Sequence, residues 1–210
     1  MVNSSFFRLV FLALALSLVV SGGCTTTTKP SRFYALSPVE SSGAQTEAEI
    51  AGHGMAIGVG PIKLPEHLDR PQIVTRSSSN QLRLAEFDRW AGPLQDDFSR
   101  ILAENLSILL STDRVSLYPW RRSVPIDYQV VVDVTRFDGE LGGNALLIAR
   151  WSVFRGRDKK VLFMERSRIS EPSRAQGYEA IVAAQSRALG QLSREIADAI
   201  KAISRKGSNQ

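Results

Sequence analysis

Few residues in this 210-residue chain are suited to chemistry: one cysteine, two histidines and three tryptophans. Cys24 follows an apolar run, Leu9–Val20 broken only by Ser17, and the small residues Ser21-Gly22-Gly23. A positive start with Arg8, an apolar core of ~7–15 residues and a small-residue exit form an export leader. The run falls short of the ~20 apolar residues that span a bilayer, so a transmembrane anchor is the weaker reading. A lone thiol at the end of such a leader has no partner for an internal disulfide, and its chemistry must be sought elsewhere.

The other candidates are weaker. His53 lies in a glycine-containing loop, and His67 stands between Glu66 and Leu68 with no third ligand at a metal-binding spacing. No serine occupies a Gly-x-Ser-x-Gly elbow, so a hydrolase assembled from scattered residues has the least support. Asp96 and Asp97 read as a solvated helix start near the positive end of the dipole. Gly58-Val59-Gly60 precedes Pro61 and Pro65, where a phosphate-cradling turn would need a helix; the glycines read as a point of close chain packing. Neither a metal nor another cofactor is expected, and nothing marks an enzyme. Trp151 is expected in the core. Trp90 and Trp120 sit at element ends beside Arg89 and Arg121-Arg122. They either anchor their loops or belong to a protein interface, where Trp and Arg are enriched.

The formal net charge is +5, from 26 Lys and Arg against 21 Asp and Glu. Loss of Arg8 with the leader lowers it by one. Basic residues are scattered and rarely adjacent, which argues against a nucleic-acid partner. Residues 24–210 are enough for one domain with a sizeable core.

The elements that must position these residues follow from periodicity. Strands are expected at Arg32–Leu36, Met55–Gly60 (stopped by Pro61) and Arg114–Tyr118. A hairpin is expected from residues 72–76 and 81–86 around the polar turn 77–80. Leu94, Phe98, Ile101, Leu102, Leu106, Leu109 and Leu110 predict a helix from Pro93 to about residue 111. Within it, Asn105 is a buried amide expected to cap a nearby backbone group. Residues 127–137, 145–154 and 160–170 alternate around turn residues and predict an antiparallel meander. Tyr178–Ile203 predicts a long amphipathic helix, with Ile181, Ala184, Ala188, Leu192, Ile196, Ala199, Ile200 and Ile203 on its buried stripe. The fold expected is α/β: a mixed sheet with an antiparallel meander, covered by two main helices as a sandwich. The organisation expected is a leader at 1–23, a cysteine and polar tether at 24–31, one domain at 32–205 and a disordered tail at 206–210. At ~3.3–3.6 Å per residue, the tether 25–31 reaches roughly 25 Å.

Ser21-Gly22-Gly23-Cys24 resembles the bacterial lipobox, although Ser21 stands where that pattern prefers an aliphatic residue. The likeness implies that Cys24 is acylated before the leader is cleaved. The strings Val59–Val74, Phe87-Asp88-Arg89-Trp90-Ala91-Gly92-Pro93-Leu94 and Tyr118-Pro119-Trp120 resemble the ABC-type transport auxiliary lipoproteins over roughly residues 32–203. That resemblance implies an α/β sandwich with no catalytic residues. Its implied partners are an MCE-domain protein and inner-membrane permease components of a system moving lipid between the two membranes. Thr25, where Asp would retain a lipoprotein at the inner membrane, implies the outer membrane. Because MCE partners form rings, a homo-oligomer is also compatible with the resemblance. The alternative expectation is a lipid- or solute-binding lipoprotein with its own apolar pocket.

Overall fold

Backbone pairing sorts the strands into two sheets. The computed structural model describes residues 29–40 and 54–207. In chain order the elements are β1 (Arg32–Tyr34), β2 (Ile57–Lys63), β3 (Gln72–Ser78), β4 (Gln81–Trp90) and α1 (Leu94–Leu110). They continue with β5 (Val115–Leu117), β6 (Tyr128–Gly139), β7 (Asn144–Arg155), β8 (Val161–Pro172) and α2 (Tyr178–Gly207). A three-stranded sheet has the order β1-β4-β3, and a five-stranded sheet the order β5-β2-β6-β7-β8. In the larger sheet β2 runs parallel to β5 and β6, while β6, β7 and β8 form the expected antiparallel meander. This is the α/β sandwich read from the sequence.

Alternation decides what each face of the large sheet buries. Val130, Val132 and Val134 stand opposite Val153, Trp151 and Ala149 on β7, and all six are buried. Both helices lie on this face: α1 packs on β2 and β5, α2 on β6, β7 and β8, and the helices pack on each other. Leu94, Phe98, Ile101, Leu102, Leu106 and Leu110 of α1 are buried, and the Phe98 ring meets Phe137 edge to face at 5.2 Å. Each such side chain contributes about 1.5–3 kcal/mol through burial. Trp151 is the largest fully buried side chain. Its indole N–H donates to Ser167 Oγ at 2.8 Å, and Ser167 in turn donates to Glu195 on α2. The one polar atom of the ring is thereby satisfied inside the core.

Several expectations are corrected. Strand β2 does not stop at Pro61 but continues to Lys63, with a register shift against β6 between Val59 and Ile62. Strand β5 pairs only as far as Val59, so Pro61 falls where the ladder is interrupted and no N–H is needed. The β3–β4 turn is tighter than expected, with only Ser79 and Asn80 between the strands, and β4 runs on through Phe87–Trp90 to pair with β1. Strand β1 ends at Tyr34. Helix α2 continues past Ile203 to Gly207, so Lys206 is helical.

The helix-start carboxylates are not both solvated. Asp97 is half-buried: one oxygen accepts the Leu36 N–H at 2.7 Å and the other accepts from Arg100 at 2.6 Å. Asn105 does cap backbone, but that of a residue distant in sequence: its Oδ1 accepts the Val39 N–H at 2.8 Å. Its Nδ2 donates to Ser193 Oγ on α2 at 3.0 Å. Ser37 N–H donates to Ser186 Oγ at 3.1 Å. These bonds lay the segment Leu36–Val39 along the two helices. Gly190 makes room for it, since a Cβ there would stand 2.8 Å from Val39 Cγ1.

Candidate functional site

The expected leader, Cys24, the expected tether through Thr28, His53 and residues 208–210 lie outside the described residues. The described chain enters the domain at β1. Arg32 pairs with the buried carboxylate of Asp88 at 2.8 Å, and the Tyr34 hydroxyl donates to the same carboxylate at 2.7 Å. The hydrogen bond and charge of Asp88 hold the Arg32 pKa above its ordinary value. Burial, then the hydrogen bond to Asp88, raise that of Tyr34.

Trp90 and Trp120 do not share one site. Trp90 ends β4 in the small sheet and is only 5% exposed, so most of its indole packs into the core. Its backbone N–H donates to Pro71 O at 2.7 Å. Together with Arg70, Pro71 and Pro93 it lines a cavity of about 380 Å³. Arg89 points its buried Nε at no hydrogen-bond acceptor among the described residues.

Trp120 is half-buried on the side of the large sheet away from the helices. A Cβ on Gly58 would stand 2.7 Å from its ring, so the glycine permits the approach of a second chain segment that its spacing suggested. Tyr118 meets Trp120 edge to face at 5.6 Å. Lys159 lies 5.8 Å over the indole while donating to Gln129 Oε1 at 2.9 Å, and Gln129 donates to Gly60 O at 2.8 Å. Gly60 has φ +118°, a conformation open to glycine, and a Cβ there would lie 2.7 Å from Tyr118 Cβ. Arg121 is exposed, and its carbonyl accepts the Val124 N–H at 3.0 Å. Loop anchoring is thus visible for both tryptophans, and of the pair Trp120 with Arg121 retains exposed surface beside it.

These contacts explain the strings that stood out in the sequence. Val59–Val74 runs from within β2 through the short turn Glu66–Leu68 to the start of β3. Tyr118-Pro119-Trp120 folds over its Gly60 and over Gly58 just before it, and the Trp90 end of Phe87–Leu94 bonds to its Pro71. The strings meet as packing seams, which is why they need particular glycines, prolines and aromatics.

A second concavity, a groove of about 630 Å³, lies where the ends of β6, β7 and β8 meet the C-terminal turns of α2. Met55, Tyr128, Phe163 and Ile203 supply apolar wall; Arg155, Arg157 and Lys206 stand at it as cations. Both arginines share one counter-ion, Asp158, at 3.2 and 3.8 Å. The Lys160 backbone N–H, with the arginine charges behind it, holds the Asp158 carboxyl below its ordinary pKa. Among the described residues no three His, Cys, Asp or Glu side chains converge on a metal position. Nor is any described helix long and apolar enough to cross a membrane.

The fold is shared with solved structures. One, from Xanthomonas campestris and assigned to the family model DUF330, superposes with a TM-score of 0.67 at 18% identity, covering 86% of this chain and 100% of that one. Another, described only as an uncharacterized protein, gives 0.66 at 19% identity, covering 82% and 99%. At such identities the likeness concerns the fold. No curated protein matches the chain. The model of the ABC-type transport auxiliary lipoprotein component matches residues 34–197, most of the chain, and the protein belongs to that family.

Proposed function

We propose that this protein is an outer-membrane lipoprotein, facing the periplasm, that acts as a non-catalytic auxiliary part of an MCE-type, ABC-driven lipid transport system and so supports envelope integrity. Cys24 is the acylation site, residues 1–23 the leader and 24–31 the tether. Each buried CH₂ of an acyl chain contributes ~0.8 kcal/mol, and two or more chains make attachment stable. The observation that carries the reading is the family match over residues 34–197, which begins at the last residue of β1 and runs through most of the domain. The domain's own part is contact with an MCE-domain protein and inner-membrane permease components.

The test uses the full-length protein in cells. Cys24→Ser is expected to leave the domain folded, move it from the outer-membrane to the soluble periplasmic fraction, and abolish complementation of an envelope-permeability defect. Gentle detergent extraction of the wild type is expected to recover an MCE-domain protein. Full complementation by the soluble variant, or recovery of no transport component, sinks the proposal.

A second reading, that the domain itself holds an amphiphile, is favoured by the groove between Tyr128, Phe163 and Ile203 with its three cations. Native mass spectrometry of the purified domain mixed with a long-chain fatty acid checks it. Absence of a one-to-one adduct, or an adduct unaffected by Ile203→Glu, removes this reading.

A further inference from the structure

The face of the large sheet away from the helices carries an electrostatic arrangement that folding alone does not account for. Register places Asp133, Arg150 and Arg166 side by side across β6, β7 and β8, and Arg136, Ile148 and Arg168 in the next row. Arg150 and Arg166 are direct cross-strand neighbours, and Arg168 stands two residues along the same face. Side chains so opposed have Cβ atoms about 4.5–5.5 Å apart, and like charges there destabilise the sheet.

Other arginines of this domain show what a structural solution looks like. Arg76 and Arg136 both reach the buried carboxylate of Asp138, at 2.9 and 2.8 Å, and Arg187 reaches Glu171 at 3.2 Å. Arg150, Arg166 and Arg168 are exposed and make no ion pair or side-chain hydrogen bond with any described residue. The row on their other side is Val131, Ser152 and Met164, the last 66% exposed. Two apolar side chains, Val131 and Met164, therefore lie beside three guanidinium groups that make no ion pair, of which only Arg150 has a carboxylate, Asp133, as a cross-strand neighbour; β8 is the edge strand of this sheet among the described residues.

We infer that this face of β6–β8 is the docking surface for a partner protein that presents at least two carboxylates beside an apolar side chain. Guanidinium forks pair with carboxylates through two parallel hydrogen bonds, which gives geometry as well as charge. Arg and Met are enriched in protein interfaces. The pleat fixes the three cations at set spacings, which suits carboxylates held on another folded surface better than the fluid plane of a lipid leaflet. The inference rests on the reading that the protein works by contact within an assembly. It names a surface distinct from Trp120 and Arg121 and does not depend on which component is met.

The experiment is photo-cross-linking in cells from Met164→benzoylphenylalanine in the full-length protein, with Ala183→benzoylphenylalanine on α2 as the control position. The adduct is identified by mass spectrometry. A Met164 adduct with an Asp- and Glu-bearing segment of one protein is expected. Its yield should fall about tenfold or more when Arg150, Arg166 and Arg168 are changed together to Gln, as loss of interfacial arginines of hot-spot quality requires. An adduct with an MCE-domain protein or permease supports the proposed function as well. An adduct with an acidic segment of some other protein upholds this surface while sinking that function. A lipid adduct, no adduct above the Ala183 control, or a yield unmoved by the Gln changes overturns the inference. The purified triple variant supplies an independent readout: relief of like-charge opposition should raise Tm by about 1–3 °C. A clear fall in Tm would show that the arginines serve the fold, and would overturn the inference too.

Discussion

The two faces of the five-stranded sheet solve opposite problems with the same strands. Toward the helices, Val130, Val132, Val134, Trp151 and Val153 exclude water, and the polar atom of Trp151 is paired through Ser167 to Glu195. Away from them, Trp120 closes over Gly58 at one end, while three arginines further along β7 and β8 lack counter-ions among the described residues. The covered face is satisfied internally, and the bare face is satisfied only in part. A domain whose task is contact can leave charge unanswered on the side where a partner completes it, provided the other side supplies the stability.

Trp151→Ala probes the covered face and should have the largest effect, a loss of about 3–5 kcal/mol from the cavity and the broken indole–Ser167 link, read by urea unfolding. A loss under about 1 kcal/mol would mean that the core is not centred there. At the closed end of the bare face, Gly58→Ala drives a methyl into the Trp120 ring and should cost about 1–3 kcal/mol. The Trp120 fluorescence should shift as the ring is displaced, in a background where the other two tryptophans are replaced by Phe. Met164→Thr, in the open part of the same face, should change stability by less than about 0.5 kcal/mol, because nothing described packs over it. A larger loss would erase the contrast between the faces.

The smallest effect is expected at the β7–β8 turn. The Asp158 carboxyl titrates below its ordinary range in the folded state, so the unfolded chain takes up the proton first as pH falls. Its contribution is present above the usual carboxylate pKa, about 3.9, and is lost as pH drops through and below it. Asp158→Asn should therefore flatten the acid limb of a stability–pH curve by lowering its neutral plateau slightly, while stability at the acid end stays nearly unchanged. An unchanged acid limb would remove Asp158 from the account.

Much of this architecture was legible beforehand because it is periodic. The stripes Leu94–Leu110 and Ile181–Ile200 could only bury along one helical side, and the alternation after Tyr128 could only split between two faces. Element ends were less legible. Pro61 reads as a stop because a proline cannot donate to a ladder, yet the ladder is already broken there by the β2–β6 shift and the short β5. Asn105 was seen as a buried amide, but its partners Val39 and Ser193 lie 66 and 88 residues away, beyond any local rule. Trp90 and Trp120 looked alike, each an aromatic beside arginine at an element end. Burial separates them, and no residue near either one signals which is covered.

The sequence by itself determined the two amphipathic helices, the meander and the family strings, since each is encoded in residue type and spacing over short distances. Only the tertiary structure decided what faces what. Strand register brought Arg150 opposite Arg166, and helix packing drew Leu36–Val39 onto Asp97 and Asn105. A register slip of one residue would leave every local pattern intact while sending those side chains to the other face, which is why neither arrangement could be read along the chain.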